Sequence, residues 1–290
     1  MTEPDQHAHG DHRTTTNAIP QFAKEKSALV MASTGRGILD RAQVAGRALL
    51  LLWEAGLHVV EVKRSIPMLM RQIEFCGFGS LLVLALISGL TGMIMAVQTG
   101  IALQDYDQTN LLGGIIGVTF CRELGPIWAA VIILARVGAG MAAELGTMAV
   151  NDEIDALRAM SINPVRYLVM PRILALAIVM PLLAAVSDFV GMLGGALIAK
   201  ATFGTLITTF FESAKNSLAF LDVSSGLFKS FVFACLIGTI ACDQGMNTSD
   251  GAEGVGRSTT KTVVLSIIFV LLMDLFLTSF VQLAMKRLIA

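Results

Sequence analysis

FCGFGSLLVLALISGLTGMIMAVQTGIAL, residues 75–103, contains no Asp, Glu, Lys or Arg. At about 1.5 Å per helical residue the stretch reaches ~43 Å, more than the ~30 Å of hydrocarbon a transmembrane helix has to cross. It reads as a membrane span, and its Gly77, Gly79, Gly89 and Gly92 offer faces where a second backbone can come close. A short polar turn, Gln104 to Asn110, leads into a second apolar stretch over 111–150. Arg122-Glu123-Leu124-Gly125-Pro126 sits within it. Pro126 removes a helix hydrogen bond, so a kink or break is expected there, tolerated at membrane depth only where protein or a wet cavity satisfies the freed backbone.

The remaining spans follow the same logic. Residues 151–163 are polar, with Ile154, Leu157 and Met160 three apart, which predicts a short helix with one apolar edge. Further spans are expected over 165–199, 223–242 and 262–285. Between them lie a polar connection, 200–221, with room for a short helix, and a loop rich in Gly, Ser and Thr, 243–261. Before the first span, residues 46–70 alternate polar and apolar positions at helical spacing. They are too charged to cross and read as a helix lying in the headgroup plane. Residues 1–45 are polar, lack the apolar core of a secretory signal, and read as a disordered cytoplasmic tail; His7, His9 and His12 fit a solvated segment better than a metal site. The fold class is therefore all-α: a polytopic membrane domain over 46–290 with one interfacial helix and five spans.

Composition agrees. Of 290 residues 54% are AVILMFWYC and only 15% are charged, and the mean hydropathy is +0.71. Soluble domains carry roughly 25% charge. The formal net charge of −1 offers no basic face for nucleic acid, and Cys76, Cys121, Cys235 and Cys242 form no CxxC pair. Lys and Arg crowd the N-terminal side of the first span and recur in 151–172 and 243–261, but are absent from 104–110. That bias puts the N-terminus, the 151–163 helix and the 243–261 loop in the cytoplasm, and the C-terminus across the membrane. Lys286 and Arg287 count against this orientation and are outnumbered.

Charges inside the spans mark the candidate site, because each is costly if it faces lipid unpaired. Arg122, Glu123, Lys229 and Asp274 fall at similar depth and can neutralise one another around a polar cavity. Arg136, Glu144 and Asp188 also fall within the expected spans. Such a cluster either braces the helices or handles cargo, and the residues alone leave both open. An intramembrane enzyme is the rival from another class, but no nucleophile-and-base pair is visible, and a pure assembly scaffold is a third reading. The chain has no GxxxxGK[ST], so it carries no phosphate-binding loop of its own.

Several linked segments, Arg122-Glu-Leu-Gly-Pro126, Ala143-Glu-Leu-Gly-Thr147, Asp152-Glu-Ile-Asp-Ala-Leu157, Asn163-Pro164 through Tyr167-Leu-Val-Met-Pro-Arg172, Gly251-Ala-Glu-Gly-Val-Gly-Arg-Ser-Thr-Thr260 and Leu272-Met-Asp-Leu-Phe-Leu-Thr278, together resemble the MlaE/YrbE family. These are permease subunits of ABC transporters serving MCE-domain proteins, and the resemblance covers about 46–285. It implies a bacterial inner-membrane subunit working as two copies with two ATPase subunits. It further implies a hexameric MCE protein on the periplasmic side, a STAS-domain protein in the cytoplasm, and phospholipid or a related lipid as cargo. No cofactor is implied in this chain, since ATP and Mg belong to the ATPase. Asp152, Glu153, Ile154, Asp155, Leu157, Arg158 and Met160 correspond to the family's coupling helix, with Ile154, Leu157 and Met160 as the face expected to seat in an ATPase groove. Arg122, Glu123, Lys229 and Asp274, with Ile94 on the first span, are placed along the lipid pathway. Gly138, Ala142 and Gly146, with Gly191 and Gly195, supply the small-residue spacing expected of a homodimer seam, though one subunit's own packing can use it equally.

Overall fold

The computed structural model of this chain describes residues 46–47, 50–57 and 66–289, with side chains up to 283. The chain divides into Met1–Gly46 and Arg47–Ala290, and every helix from Ile66 onward belongs to the second unit. The expected tail, with His7, His9 and His12, lies outside the described residues, as do 58–65. Every regular element among the described residues is helical. We label them α1 (Ile66–Gln104), α2 (Thr109–Val150), α3 (Glu153–Ala159), α4 (Val165–Phe203), α5 (Ile207–Ser217), α6 (Phe220–Met246) and α7 (Gly251–Ile289). Five of them, α1, α2, α4, α6 and α7, are long and apolar enough to cross a membrane. This is an all-α, multi-pass membrane protein.

Consecutive spans run antiparallel, and three apolar clusters are stacked along them. One end joins Leu145 of α2, Ile154 of α3, Leu168 and Ile173 of α4, and Cys242 of α6. The middle joins Leu84, Ile133, Val137, Leu176, Met180, Phe233 and Val270. The far end joins Ala96, Leu112, Phe120, Ala199 and Phe210. The spans are unequally covered. In its most apolar window α6 is 61% buried, whereas α7 is 11% and α1 28%, so these two stand at the periphery of the single chain. Lipid-embedded helices gain nothing from hiding Leu from lipid, so backbones must approach instead. At the α1–α4 crossing a Cβ on Gly92 would lie 1.9 Å from the Gly191 carbonyl oxygen, and one turn away Ser88 and Ser187 share a buried 2.6 Å hydrogen bond.

Several expectations are corrected. The small-residue spacing is used inside the chain: Gly138 faces Ile237, Gly146 faces Thr248, Gly191 faces the Phe120 ring and Gly195 faces Ile116, while Ala142 is fully buried. Spacing alone cannot separate packing within a subunit from packing between subunits. The interfacial helix expected over 46–70 is not one element. Residues 50–57 are helical and tuck Ala55 into the Leu145–Ile154 cluster, while 66–70 already belong to α1, with Pro67 in its first turn, where its missing N–H costs nothing. The loop expected over 243–261 shrinks to 247–250. Thr259, Thr260 and Thr262 donate to the carbonyls of Val255, Gly256 and Ser258 four residues back, so polar residues that suggest a loop sit within α7.

The break expected at Pro126 is instead a change of winding. From Phe120 to Leu124 the helix widens to a π turn, closed by Gly125 N–H donating to Phe120 O, and α-helix resumes at Gly125. A second such turn covers Leu134–Gly138. An N–H at 126 would have served the Cys121 or Arg122 carbonyl. The π turn accommodates the ring and leaves those carbonyls to other partners.

Candidate functional site

Those partners build the site. Lys229 of α6, buried to 3% exposure, extends its ammonium to the Arg122 carbonyl oxygen at 3.1 Å, the group that Pro126 cannot serve. It also donates to Glu123 Oε2 at 2.7 Å and to Thr278 Oγ1 of α7 at 2.6 Å. An ammonium has three protons, and all three are now committed. Asp274 Oδ1 stands 3.0 Å from the same nitrogen as a fourth, ion-paired neighbour. Thr278 in turn donates toward Glu123, at 3.1 Å to Oε1.

Arg122 does not join this ammonium's circle. Its Nε donates at 2.7 Å to Asp222 Oδ1 in the first turn of α6, and Asp222 Oδ2 accepts from the Ala219 N–H at 2.9 Å. Asp222 is 2% exposed, whereas the Arg122 side chain is 37% exposed, so part of its donor fork faces outward. The network therefore sets three carboxylates, Glu123, Asp222 and Asp274, against two cations. Close approach makes this possible: a Cβ on Gly226 would stand 1.9 Å from the Cys121 carbonyl oxygen, so α6 can lie directly on the π turn. Arg122, Glu123, Ser225, Lys229, Thr278, Val281 and Gln282 line a recess of about 20 Å³, room for one water.

The structure thus brings Glu123, Lys229 and Asp274 together and sets Arg122 beside them through Asp222. Ile94 is exposed on α1 and does not line the recess. Sequence reasoning misses Asp222 and Thr278. Asp222 falls between the expected connection, 200–221, and the span expected from 223. Thr278 lies four residues after Asp274, and helical spacing from that charge is the signal that could have found it. Of the other span charges, Glu144 pairs with the buried Arg172 at 2.9 Å, and Asp188 Oδ1 lies against the bare Cα of Gly125 without a hydrogen-bond partner.

At the opposite end, α3 differs from expectation. Ile154 is 3% exposed and packs on Leu145, Leu168 and Val169, with Leu157 against the same cluster. These two hold α3 to its own chain. The surface left for a partner is Asp152, Glu153, Asp155, Arg158 and Met160, with Arg158 donating to Asp155 at 2.8 Å. A seven-residue helix makes few internal hydrogen bonds and is marginal by itself, so it needs an apolar anchor, which is the physical reason that its apolar edge points inward.

Residues 69–280, which carry the ionic network and α3 alike, match the family described as Permease MlaE. This chain belongs to the MlaE permease family. The permease is 36% identical over 231 residues to a probable ABC transporter permease protein of Synechocystis sp., covering 80% of this chain and 88% of that one. It is 34% identical over 237 residues to the chloroplastic protein TRIGALACTOSYLDIACYLGLYCEROL 1 of Arabidopsis thaliana, covering 82% of this chain and 66% of that one. It is also 29% identical over 250 residues to the intermembrane phospholipid transport system permease protein MlaE of Haemophilus influenzae, covering 86% and 96%.

Proposed function

We propose that this permease is the membrane-spanning subunit of an ABC transporter that moves phospholipid, powered by a separate ATPase that docks on the exposed polar face of α3. The observation that carries the reading is the ionic network of Glu123, Lys229, Asp274, Arg122 and Asp222, set inside apolar spans beside the least covered helix. A lipid needs apolar walls for its chains and polar partners for its headgroup. The exposed apolar residues of α7, such as Leu275, Phe276 and Phe280, flank Asp274 and Thr278 of this network along the helix. A one-water recess cannot hold a headgroup, which favours a chamber completed by a second copy of the chain. The names of the similar proteins support the ABC and phospholipid parts of this reading. An MCE-domain protein across the membrane, a STAS-domain protein beside the ATPase, and a bacterial inner-membrane setting with a cytoplasmic N-terminus complete it, on the family resemblance and the Lys and Arg bias.

The deciding experiment reconstitutes the permease with its copurifying ATPase and follows ATP-dependent transfer of labelled phospholipid between membranes. Transfer that stops with Glu123→Gln, in a complex that still assembles, supports the reading. Full transfer by a folded Glu123→Gln, Asp274→Asn double variant makes the network a brace and overturns the cargo role.

A further inference from the structure

Arg122, Lys229 and Arg172 each pair with a carboxylate. Among the described residues Arg136, well inside the second span, has no anion beside it. Its Nη1 donates to the Phe75 carbonyl oxygen at 3.2 Å and to Ser80 Oγ at 3.1 Å, and its guanidinium carbon lies 5.3 Å from the centre of the Phe75 ring. The seat is shaped for it. A Cβ on Gly79 would fall 1.9 Å from Nη2, so the guanidinium lies across α1 where that residue has no side chain. The contacts fix the group in place without a carboxylate, and among the described residues the Nε and Nη2 of this exposed residue have no acceptor.

Such a charge facing hydrocarbon costs several kcal/mol, and the cost disappears if an anion comes to it. Its depth says which anion can. Arg71 and Glu74, both exposed, mark where α1 turns polar, and Gly79 lies five residues beyond Glu74, or ~7.5 Å along the helix axis. The exposed Phe75, Phe78 and Leu82 flank the seat with apolar surface fit for an acyl chain. A planar guanidinium that keeps unused donors matches a phosphodiester.

We propose that Arg136 holds the phosphate of an anionic phospholipid at the α1–α2 seam, as a resident lipid on the flank of the bundle and apart from the network at Lys229. The proposal does not depend on what the permease transports. To test it, the full chain is placed in nanodiscs of phosphatidylcholine alone or of equimolar phosphatidylcholine and phosphatidylglycerol, and lipid retained after extraction is read by native mass spectrometry. Wild type retains phosphatidylglycerol preferentially, and Arg136→Gln lowers that retention by roughly tenfold, as expected for loss of a charge-assisted pair. Arg136→Lys, which keeps charge without the fork, falls between. A photocrosslinker at position 78 in otherwise unaltered protein guards against a misfolded variant and captures phosphatidylglycerol over phosphatidylcholine. Equal capture of both lipids, equal retention by Arg136→Gln, or capture of a second copy of the chain in place of lipid would overturn it.

Discussion

Lys229 is surrounded by four acceptors and can serve three. Removing it would leave Glu123 and Asp274 facing each other without a cation, and breaking a buried pair from one side costs about 3–5 kcal/mol. Lys229→Met is expected to lower thermal stability in detergent by that order, and adding Glu123→Gln and Asp274→Asn to it should restore much of the loss. A Lys229→Met protein that melts with wild type would show that the ammonium is not holding the three helices. Much of this site is legible in the sequence, because Glu123, Lys229 and Asp274 are among the few charges inside apolar runs. What the sequence hides is the geometry that divides them. Nothing local says that Arg122 turns to Asp222, since that pairing spans 100 positions and depends on how α6 lies over the π turn. Pro126 does announce a disturbed helix, but not that Lys229 will take the carbonyl it frees.

At the scale of elements, the spans are legible because hydropathy reports them directly, and the errors fall where polar residues are satisfied locally. The hydroxyls of 259–262 bond within α7, so residues whose composition predicts a loop continue the helix. Crossings between spans depend on bare backbone. Gly92→Ala should destabilise by about 1–3 kcal/mol, since its Cβ would meet the Gly191 carbonyl and overpacking a close seam moves backbone. Gly256→Ala is the control. Nothing lies within 4 Å of its Cβ, so thermal unfolding should show a gain of about 0.5–1 kcal/mol from helix propensity. On α3 the two faces separate by substitution. Ile154→Ala should cost about 2–4 kcal/mol of stability by emptying a buried site. Glu153→Lys with Asp155→Lys should leave melting unchanged and abolish ATPase stimulation in the assembled complex. Normal stimulation by that pair would move the docking surface elsewhere.

For the molecule as a whole, the uneven cover of α7 is the main clue to assembly. If a second copy closes the recess, Gln282→Cys in a background lacking the four native cysteines should form a disulfide between copies on oxidation, read as a doubled mass on a non-reducing gel. Phe78→Cys, on the flank assigned to lipid, should not. The three stacked clusters carry a further mechanical consequence. Ile154 rests on α2, α4 and α6 at a single cluster, and no α7 residue belongs to it. A push on α3 thus bears directly on the helices that present Glu123 and Lys229 and reaches the helix with Asp274 and Thr278 through its packing on α2 and α6. From Leu145 to Glu123 is ~33 Å of helix through the π turn at Leu134–Gly138, and from Cys242 to Lys229 ~20 Å. Ile154 is a fulcrum with two unequal lever arms, so a small tilt at one face of the membrane arrives as a shear through the ionic network near the other.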